Sequence, residues 1–361
     1  MSFLTLKPEA FGLDISDLSL KIVKLKKKRG VLSLASFGET EIKPGIILAG
    51  EIKDEKKLAE VIKESLKKVK GEKLRTKYVV ASLPEEKAFL QVITLPKMAE
   101  EDLKSAVIYE AENYIPLPID QVYLDSHIVP PVYNHLDHFD VLIAALPKKT
   151  IDPYLSCLKL AGLKPKTLEI ESLSIARALI KGEFTTSPVL LIDIGATRAS
   201  FIIFSGYSLR FTSSIPVSSG SFTEIISKVL GVGLAEAEKL KLEYGLQFKK
   251  REGKEIFDAL IPALTDLVQQ IKRCLIYYQT HVAHEHLPPD GKGVSKIFLC
   301  GGGANLKGLT DFLTLQLKIP TELGNPWVNI LSEPQKGMPE LSLEKSLSYT
   351  TALGLALKAI K

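Results

Sequence analysis

The chain has 361 residues, 45% hydrophobic and 25% charged, with a net charge of +5. That length and balance suit a globular protein of roughly two or three domains and exclude a largely disordered one. No apolar run approaches the ~18 residues of a bilayer span, and the opening "MSFLTLKPEAFG" lacks the regions of a signal peptide, so a cytoplasmic protein without a transmembrane segment is expected.

Basic runs occur at "KLKKKRG" (24–30) and "KKVKGEKLRTK" (67–77). They read as a solvated face, with an anionic membrane surface or acidic partner as the rival. Nucleic acid is not expected, because no aromatic residues interleave with them. Cys157, Cys274 and Cys300 have no metal-ligand spacing and read as buried thiols in a reducing compartment.

In chain order, β-branched or alternating segments predict strands at 11–15, 18–25 and 31–39. A helix capped by Asp54 follows, with Leu58, Val61, Ile62, Leu66 and Val69 on one face, and then a buried strand "YVVASL" at 78–83. The block 86–166 contains strands at 89–95, 121–129 and 139–146 and helices at about 99–113 and 150–162. Pro116 and Pro118 stop the first of these helices. This block reads as an inserted subdomain.

The second half repeats the opening order: strands at 189–194, 199–204 and 207–215, helices over 220–244 and about 254–285, and a strand at 296–300. Helices at about 305–318 and 343–360 close the chain. The Asp-Ile pairs at 14–15 and 193–194 lie 179 residues apart, so duplication of one β-β-β-α-β unit is the simplest explanation.

Three motifs carry candidate chemistry. In "LLIDIGATRAS", a buried strand ends at Asp193, which can hold magnesium through water, and Gly195 lets backbone amides approach phosphate oxygens. The alternative is a plain hairpin with a glycine turn. In "KIFLCGGGANLKGL" (296–309) three glycines join a strand to a helix, so backbone can come close to a ligand. It is not a Rossmann fingerprint, since Leu306 stands where the third glycine is needed, and there is no P-loop. In "LAEAEKLKLEYG", Glu238 and Lys241 share a helix face; alone they read as a surface salt bridge worth a few tenths of a kcal/mol.

Together and in this order, the motifs resemble the actin-like ATPase superfamily, and within it the PilM family of type IV pilus assembly, relatives of the division protein FtsA. The blocks "LPKMAEEDLKSAVIYEAENYIPLPIDQVYLD" and "KLAGLKPKTLEIESLSIARAL" carry the most specific part of the match. The resemblance implies an α/β fold of two duplicated ribonuclease-H-like lobes. The first lobe would comprise 1–85 and 167–185, the second 186–361, with the inserted FtsA-type subdomain at 86–166.

The resemblance further implies ATP and Mg2+ as cofactors, held between the lobes. Asp14, Ser16 and Lys21 fall on a first phosphate hairpin, and Asp193, Gly195, Ala196 and Thr197 on a second. Asp14 and Asp193 would hold Mg2+ through water. Glu238 and Lys241 match a ribose-contacting helix, and Gly301, Gly302, Gly303 and Ala304 an adenosine loop. The implied partner is the N-terminal peptide of a PilN-like inner-membrane protein, taken in a groove involving the inserted block, with self-association also open.

The first hairpin departs from the family's Asp-Ile-Gly pattern. Ser16 loses glycine's access to positive φ, and Asp17, if ~5 Å from one phosphate charge at an effective dielectric of ~20, would oppose it by about 3 kcal/mol. No residue stands out as a catalytic base, so slow or absent hydrolysis is expected. Rival readings are a sugar kinase of the same fold, for which the inserted block offers no clear carboxylate, and FtsA itself. FtsA would be expected to end in a linker and amphipathic tail, where this sequence stops at "ALKAIK". The run "HVAHEH" places His281 and His284 three apart, but fits the polar C-terminal end of a helix stopped by Pro288-Pro289 better than a metal site. His135 and His138 are expected at the surface.

Overall fold

The computed structural model describes residues 8–132, 137–247, 251–281, 293–331 and 341–361. His135, His284 and the Pro288-Pro289 stop lie outside these residues. His281 ends the helix Arg251–His281 and stacks on Tyr277 at 4.5 Å.

Two mixed sheets repeat one topology. In the first, Ala10–Ile15, Ser19–Lys28 and Val31–Glu41 run as consecutive antiparallel strands, and Tyr78–Leu83 then adds parallel to Ala10–Ile15. In the second, Thr185–Ile194, Ala199–Gly206 and Ser208–Ile215 do the same, and Lys296–Cys300 adds parallel to Thr185–Ile194. Helices over 55–67, 219–244 and 251–281 make the returns, as parallel pairing requires. The internal repeat expected from the two Asp-Ile pairs is therefore a repeat of sheet topology.

Local sequence explains the main boundaries. Asp54 caps the helix Glu55–Lys67 by accepting the Lys57 amide at 3.0 Å. The helical segment expected over 220–244 is two helices, Ser219–Leu230 and Leu234–Tyr244, because Gly231 takes a left-handed C-cap (φ 65°). The closing helix is likewise divided, into Leu343–Leu347 and Thr350–Ile360. Ile256, Leu260, Leu264, Leu267, Ile271 and Tyr278 form the buried stripe of Arg251–His281 at helical spacing.

The inserted block builds its own sheet, ordered Phe89–Pro96, His138–Pro147, Val122–Val129, covered by the helix Glu100–Ala111. Its packed body is smaller than 86–166. Helix Lys148–Leu160 buries Ile151, Tyr154, Cys157 and Leu158 in the same apolar cluster as Phe11, Leu13, Leu58 and Ile62, in the first lobe. Strand Lys164–Ile170 joins the edge of the first lobe's sheet beside Tyr78–Leu83. Composition did not separate this helix from the block because its apolar spacing suits either core.

Two helices cross where the lobes connect: Glu171–Leu179 and Thr350–Ile360. Gly354 allows the approach, since a Cβ there would stand 1.9 Å from the Ser174 carbonyl oxygen. Beside it, Arg177 grips Glu169 through two hydrogen bonds (2.5 and 2.6 Å) and donates to the Gly354 carbonyl at 3.2 Å. The three cysteines are buried and free. Among the described residues no helix is long and apolar enough to cross a membrane.

Candidate functional site: a cleft between two facing hairpins

A cleft of about 310 Å3 opens between the lobes, lined by the turns of both hairpins. The hairpins correspond in register and turn bonding. Asp14 pairs in register with Lys21, as Asp193 does with Ser200. Each turn closes with the same backbone bond, Ser16 N–H to Ser19 O (3.0 Å) and Gly195 N–H to Arg198 O (2.9 Å). A small polar group on the parallel neighbour faces each aspartate: Ser82 Oγ donates to Asp14 Oδ1 at 3.2 Å, and Cys300 Sγ lies 3.9 Å from Asp193 Oδ1.

This equivalence removes the expected handicap of Ser16. Neither Ser16 nor its counterpart Gly195 sits at positive φ, so the turn does not require glycine. Ser16 Oγ instead reinforces the turn, with 3.0 Å contacts to the carbonyl oxygen and hydroxyl of Ser19.

Asp17 does line the cleft, yet it is held and partly neutralised. Its Oδ1 accepts the Gly50 amide at 3.0 Å, and its Oδ2 lies 3.7 Å from Arg198 Nη2 of the second hairpin. Arg198 also grips Glu86 at 2.9 Å, so one guanidinium ties the two lobes across the mouth of the cleft. Gly50 is fixed in turn: its φ is +72°, and its carbonyl accepts the Tyr154 hydroxyl at 3.0 Å. The short hairpin Ile47–Leu48/Glu51–Ile52 that presents Gly50 has too few residues to show a strand period in the sequence.

Of the residues singled out from the sequence, Asp14, Ser16, Lys21, Asp193, Gly195, Ala196, Thr197, Gly301 and Gly302 line the cleft. Gly301 needs its missing side chain: at φ +82°, a Cβ would stand 2.2 Å from Asp193 Oδ1. Gly303 and Ala304 face the protein instead. A Cβ on Gly303 would meet Ile194 Cγ2 at 2.4 Å, and Ala304 is core.

Glu238 and Lys241 also lie outside the lining. Lys241 is buried and spends its ammonium on Ser219 Oγ (2.8 Å), the Ser219 carbonyl (2.9 Å), Thr223 Oγ1 (2.8 Å) and Glu238 (2.7 Å). Burial pulls its pKa down while Glu238 holds it up. The pair is a brace between helices Ser219–Leu230 and Leu234–Tyr244, not an exposed i,i+3 bridge.

Glu171 was not singled out from the sequence. It heads the helix Glu171–Leu179 and lines the cleft. Burial first, then Asp14, Glu86 and Asp193, push its carboxyl well above the usual range. Only its position at the junction between the lobes, invisible in one dimension, marks it.

The electrostatics bear on a metal ion. Burial, with Asp14 next in weight, raises Asp193 to about 6, and burial raises Asp14 against the pull of Lys21 and Ser82. Lys21 offsets this burial only in part, leaving negative charge that a dication would balance. Among the described residues no three His, Cys, Asp or Glu side chains converge as a metal cage. That donor set fits a hydrated Mg2+, which keeps several waters and takes its remaining oxygens from phosphate.

Asp17→Ser is expected to tighten binding of Mg-ATP about tenfold, since it removes a carboxylate from the cleft and leaves Arg198 with Glu86 alone, and Arg198→Ala to weaken it by a similar factor, each worth about 1.4 kcal/mol. Calorimetric titration of the two variants checks this; equal affinities in both and in the wild type would sink it.

Comparisons with known proteins decide the family. The model for type IV pilus assembly protein PilM matches residues 12–360.

The chain belongs to the PilM family of type IV pilus assembly proteins.

A solved chain of a PilM–PilN type IV pilus biogenesis complex superimposes with a TM-score of 0.81 at 29% identity, covering 98% of this chain and 99% of that one. MreB5 of Spiroplasma citri, solved with ADP, gives a TM-score of 0.54 at 14% identity over 95% of this chain and 94% of its own, a likeness of fold alone. The fold is that of the actin-like ATPases. Cell division protein FtsA of Enterococcus hirae is 26% identical over 211 residues, 52% of this chain and 46% of FtsA. FtsA of Neisseria meningitidis is 29% identical over 97 residues, 27% of this chain and 23% of FtsA. The chain therefore spans less than half the length of these curated relatives.

Proposed function

We propose that this PilM-family chain is a nucleotide-binding adaptor of the type IV pilus inner-membrane assembly platform. It holds Mg-ATP between its lobes and seats the N-terminal cytoplasmic peptide of a PilN-like membrane protein. The observation that carries the nucleotide reading is the pair of equivalent hairpins facing one cleft, with Asp14 and Asp193 at matching positions.

Mg2+, when bound, would supply the positive charge that two buried aspartates and a polyphosphate share. Asp14 and Asp193 would hold it through water. The chain's own contributions are the turn amides at 17 and 196–197 for phosphate oxygens, Lys21 beside Asp14, and the side-chain-free surface of Gly301 and Gly302. Glu171, a cleft carboxyl within electrostatic reach of both Asp14 and Asp193, is the natural group to orient a water. An adaptor works by lobe closure and does not require fast turnover.

For the peptide, the supporting observation is a second cavity of about 330 Å3 between the inserted sheet and the first lobe. An edge strand of each sheet borders it, Val122–Val129 with Tyr123 and Leu124, and Lys164–Ile170 with Leu168 and Ile170. Leu155 and Leu173 complete an apolar wall, and Asp125 and Lys358 add charge. Edge strands offer unpaired backbone groups to an extended segment, and the pockets between them read its side chains.

Calorimetry with Mg-ATP, and separately with a synthetic N-terminal peptide of a PilN-like protein, tests both halves. The wild type should bind each. Gly301→Val should lose only the nucleotide, and Leu168→Glu should lose only the peptide, by tenfold or more, about 1.4 kcal/mol at least. A wild type that binds neither would overturn the reading.

A further inference from the structure

One face of the first lobe carries more charge than the whole molecule. The cations come from three stretches far apart in sequence that the sheet brings to one edge. Strand Ser19–Lys28 and its turn end in the exposed Lys26, Lys27, Lys28 and Arg29. The segment leading into Tyr78–Leu83 supplies the exposed Lys73, Arg75 and Lys77. Exposed Lys164 starts the neighbouring strand, paired in register with Tyr78.

With Lys24 these are nine cations, and against them stand Glu9 and Glu72, paired to Lys24 (2.7 Å) and Lys26 (2.5 Å). The local net charge is +7, compared with +5 for the whole chain. Among the described residues the other seven cations make no ion pair. Lys24, Lys26, Lys27, Lys73 and Arg75 line an open depression of about 640 Å3 that also includes Leu25, Ala10, Ala359 and Ile360, and Lys77 and Lys164 border a second hollow shared with Arg75 and Glu9.

Position gives the patch meaning. The strand Ala10–Ile15 starts here and ends at the cleft, so the two sites lie about 17 Å apart along it at ~3.3 Å per residue. The peptide groove is nearer. Lys358 lines the groove while Ala359 and Ile360 line the depression, and strand Lys164–Ile170 runs from the basic edge to the groove.

We propose that this basic edge is a bilayer-facing surface that binds anionic phospholipid headgroups directly, beside the peptide groove. The placement rests on the peptide reading: a peptide arriving from a membrane protein enters from the bilayer side, and the face contiguous with its groove then meets the membrane. Lysine and arginine side chains on a surface gain from the negative potential of an anionic leaflet, and the gain fades within a Debye length.

Vesicle co-sedimentation of the full chain, with no peptide present, tests this. The protein should sediment with phosphatidylcholine/phosphatidylglycerol vesicles, not with pure phosphatidylcholine vesicles, and should be released by salt. Lys27→Glu, Lys73→Glu and Arg75→Glu should each weaken binding about fivefold or more, and the triple variant about 100-fold or more. These side chains are exposed, and an unchanged melting temperature verifies folding.

Leu168→Glu separates the two readings. It should abolish peptide binding and leave vesicle binding intact, while the triple variant should keep the peptide in solution. Absence of sedimentation with anionic vesicles at low salt overturns the proposal even if the peptide binds. So does equally tight binding of polyglutamate or duplex DNA, which would make the patch a site for an acidic macromolecule.

Discussion

Asp193→Asn is expected to stabilise the ligand-free protein near neutral pH by about 3 kcal/mol and to abolish the proposed magnesium-dependent binding of nucleotide. The stabilisation follows from the upward shift of this buried carboxyl from 3.8 to about 6. Between those values the folded state keeps a proton that the unfolded chain releases, so folding loses stability as pH rises through the window and the full penalty applies above about 6.

The surrounding carboxyls act in the same sense. Asp14, Glu85, Glu86 and Glu171 are all raised, chiefly by burial. Denaturant unfolding should show the wild type gaining stability as pH falls from about 7 toward 5, with a smaller gain in the Asn variant. Thermal-shift titration should show Mg-ATP stabilising the wild type and leaving Asp193→Asn unmoved. A variant less stable than the wild type at neutral pH would refute the electrostatic account. The aspartates are thus a destabilising pair, a cost that the proposed cation site would offset, as in other trades between stability and function.

Arg177→Ala is expected to cost 3–5 kcal/mol in chemical denaturation, among the largest effects of any single substitution in this chain. It strands Glu169 in the interior with one remaining hydrogen bond, from Ser174 Oγ at 2.7 Å, and leaves the Gly354 carbonyl without its guanidinium. Replacing both partners, Glu169→Met with Arg177→Met, should be much less costly, because no unpaired charge is left behind. A double variant as unstable as Arg177→Ala would mean that the loss comes from packing.

The location gives this pair a role beyond stability. It pins Glu171–Leu179 to Thr350–Ile360 where the lobes join, with Gly354 setting the distance. Weakening it is expected to loosen the packing where the lobes join.

Much of the fold was legible in one dimension. Strand alternation, the Asp54 cap and the glycine-rich turn depend on neighbours in sequence, the 179-residue repeat of Asp-Ile on two such local patterns compared, and each appears in place. Gly301 and Gly302 both line the cleft, but only Gly301 must lack a side chain, because of Asp193 and Ile194; a Cβ on Gly302 would meet only Ser348 Cβ at 3.9 Å. Gly303 joins the same run but answers to Ile194, since a 3-10 turn directs successive residues to different sides.

What the sequence determined by itself was the duplicated architecture and the aspartates at the strand ends, because strand period and backbone sterics are local properties. Tertiary structure alone decided the partners of those residues. Asp17 looks like a charge set against phosphate until Arg198, 181 positions later, and the Gly50 amide come to meet it. Lys241 looks exposed until Ser219 and Thr223 close over it. Glu171 looks like one acid in a helical run until both hairpins turn toward it. In each case the deciding energy is an electrostatic contact between separate elements, across the two lobes for Asp17 and Glu171 and between two helices of the second lobe for Lys241.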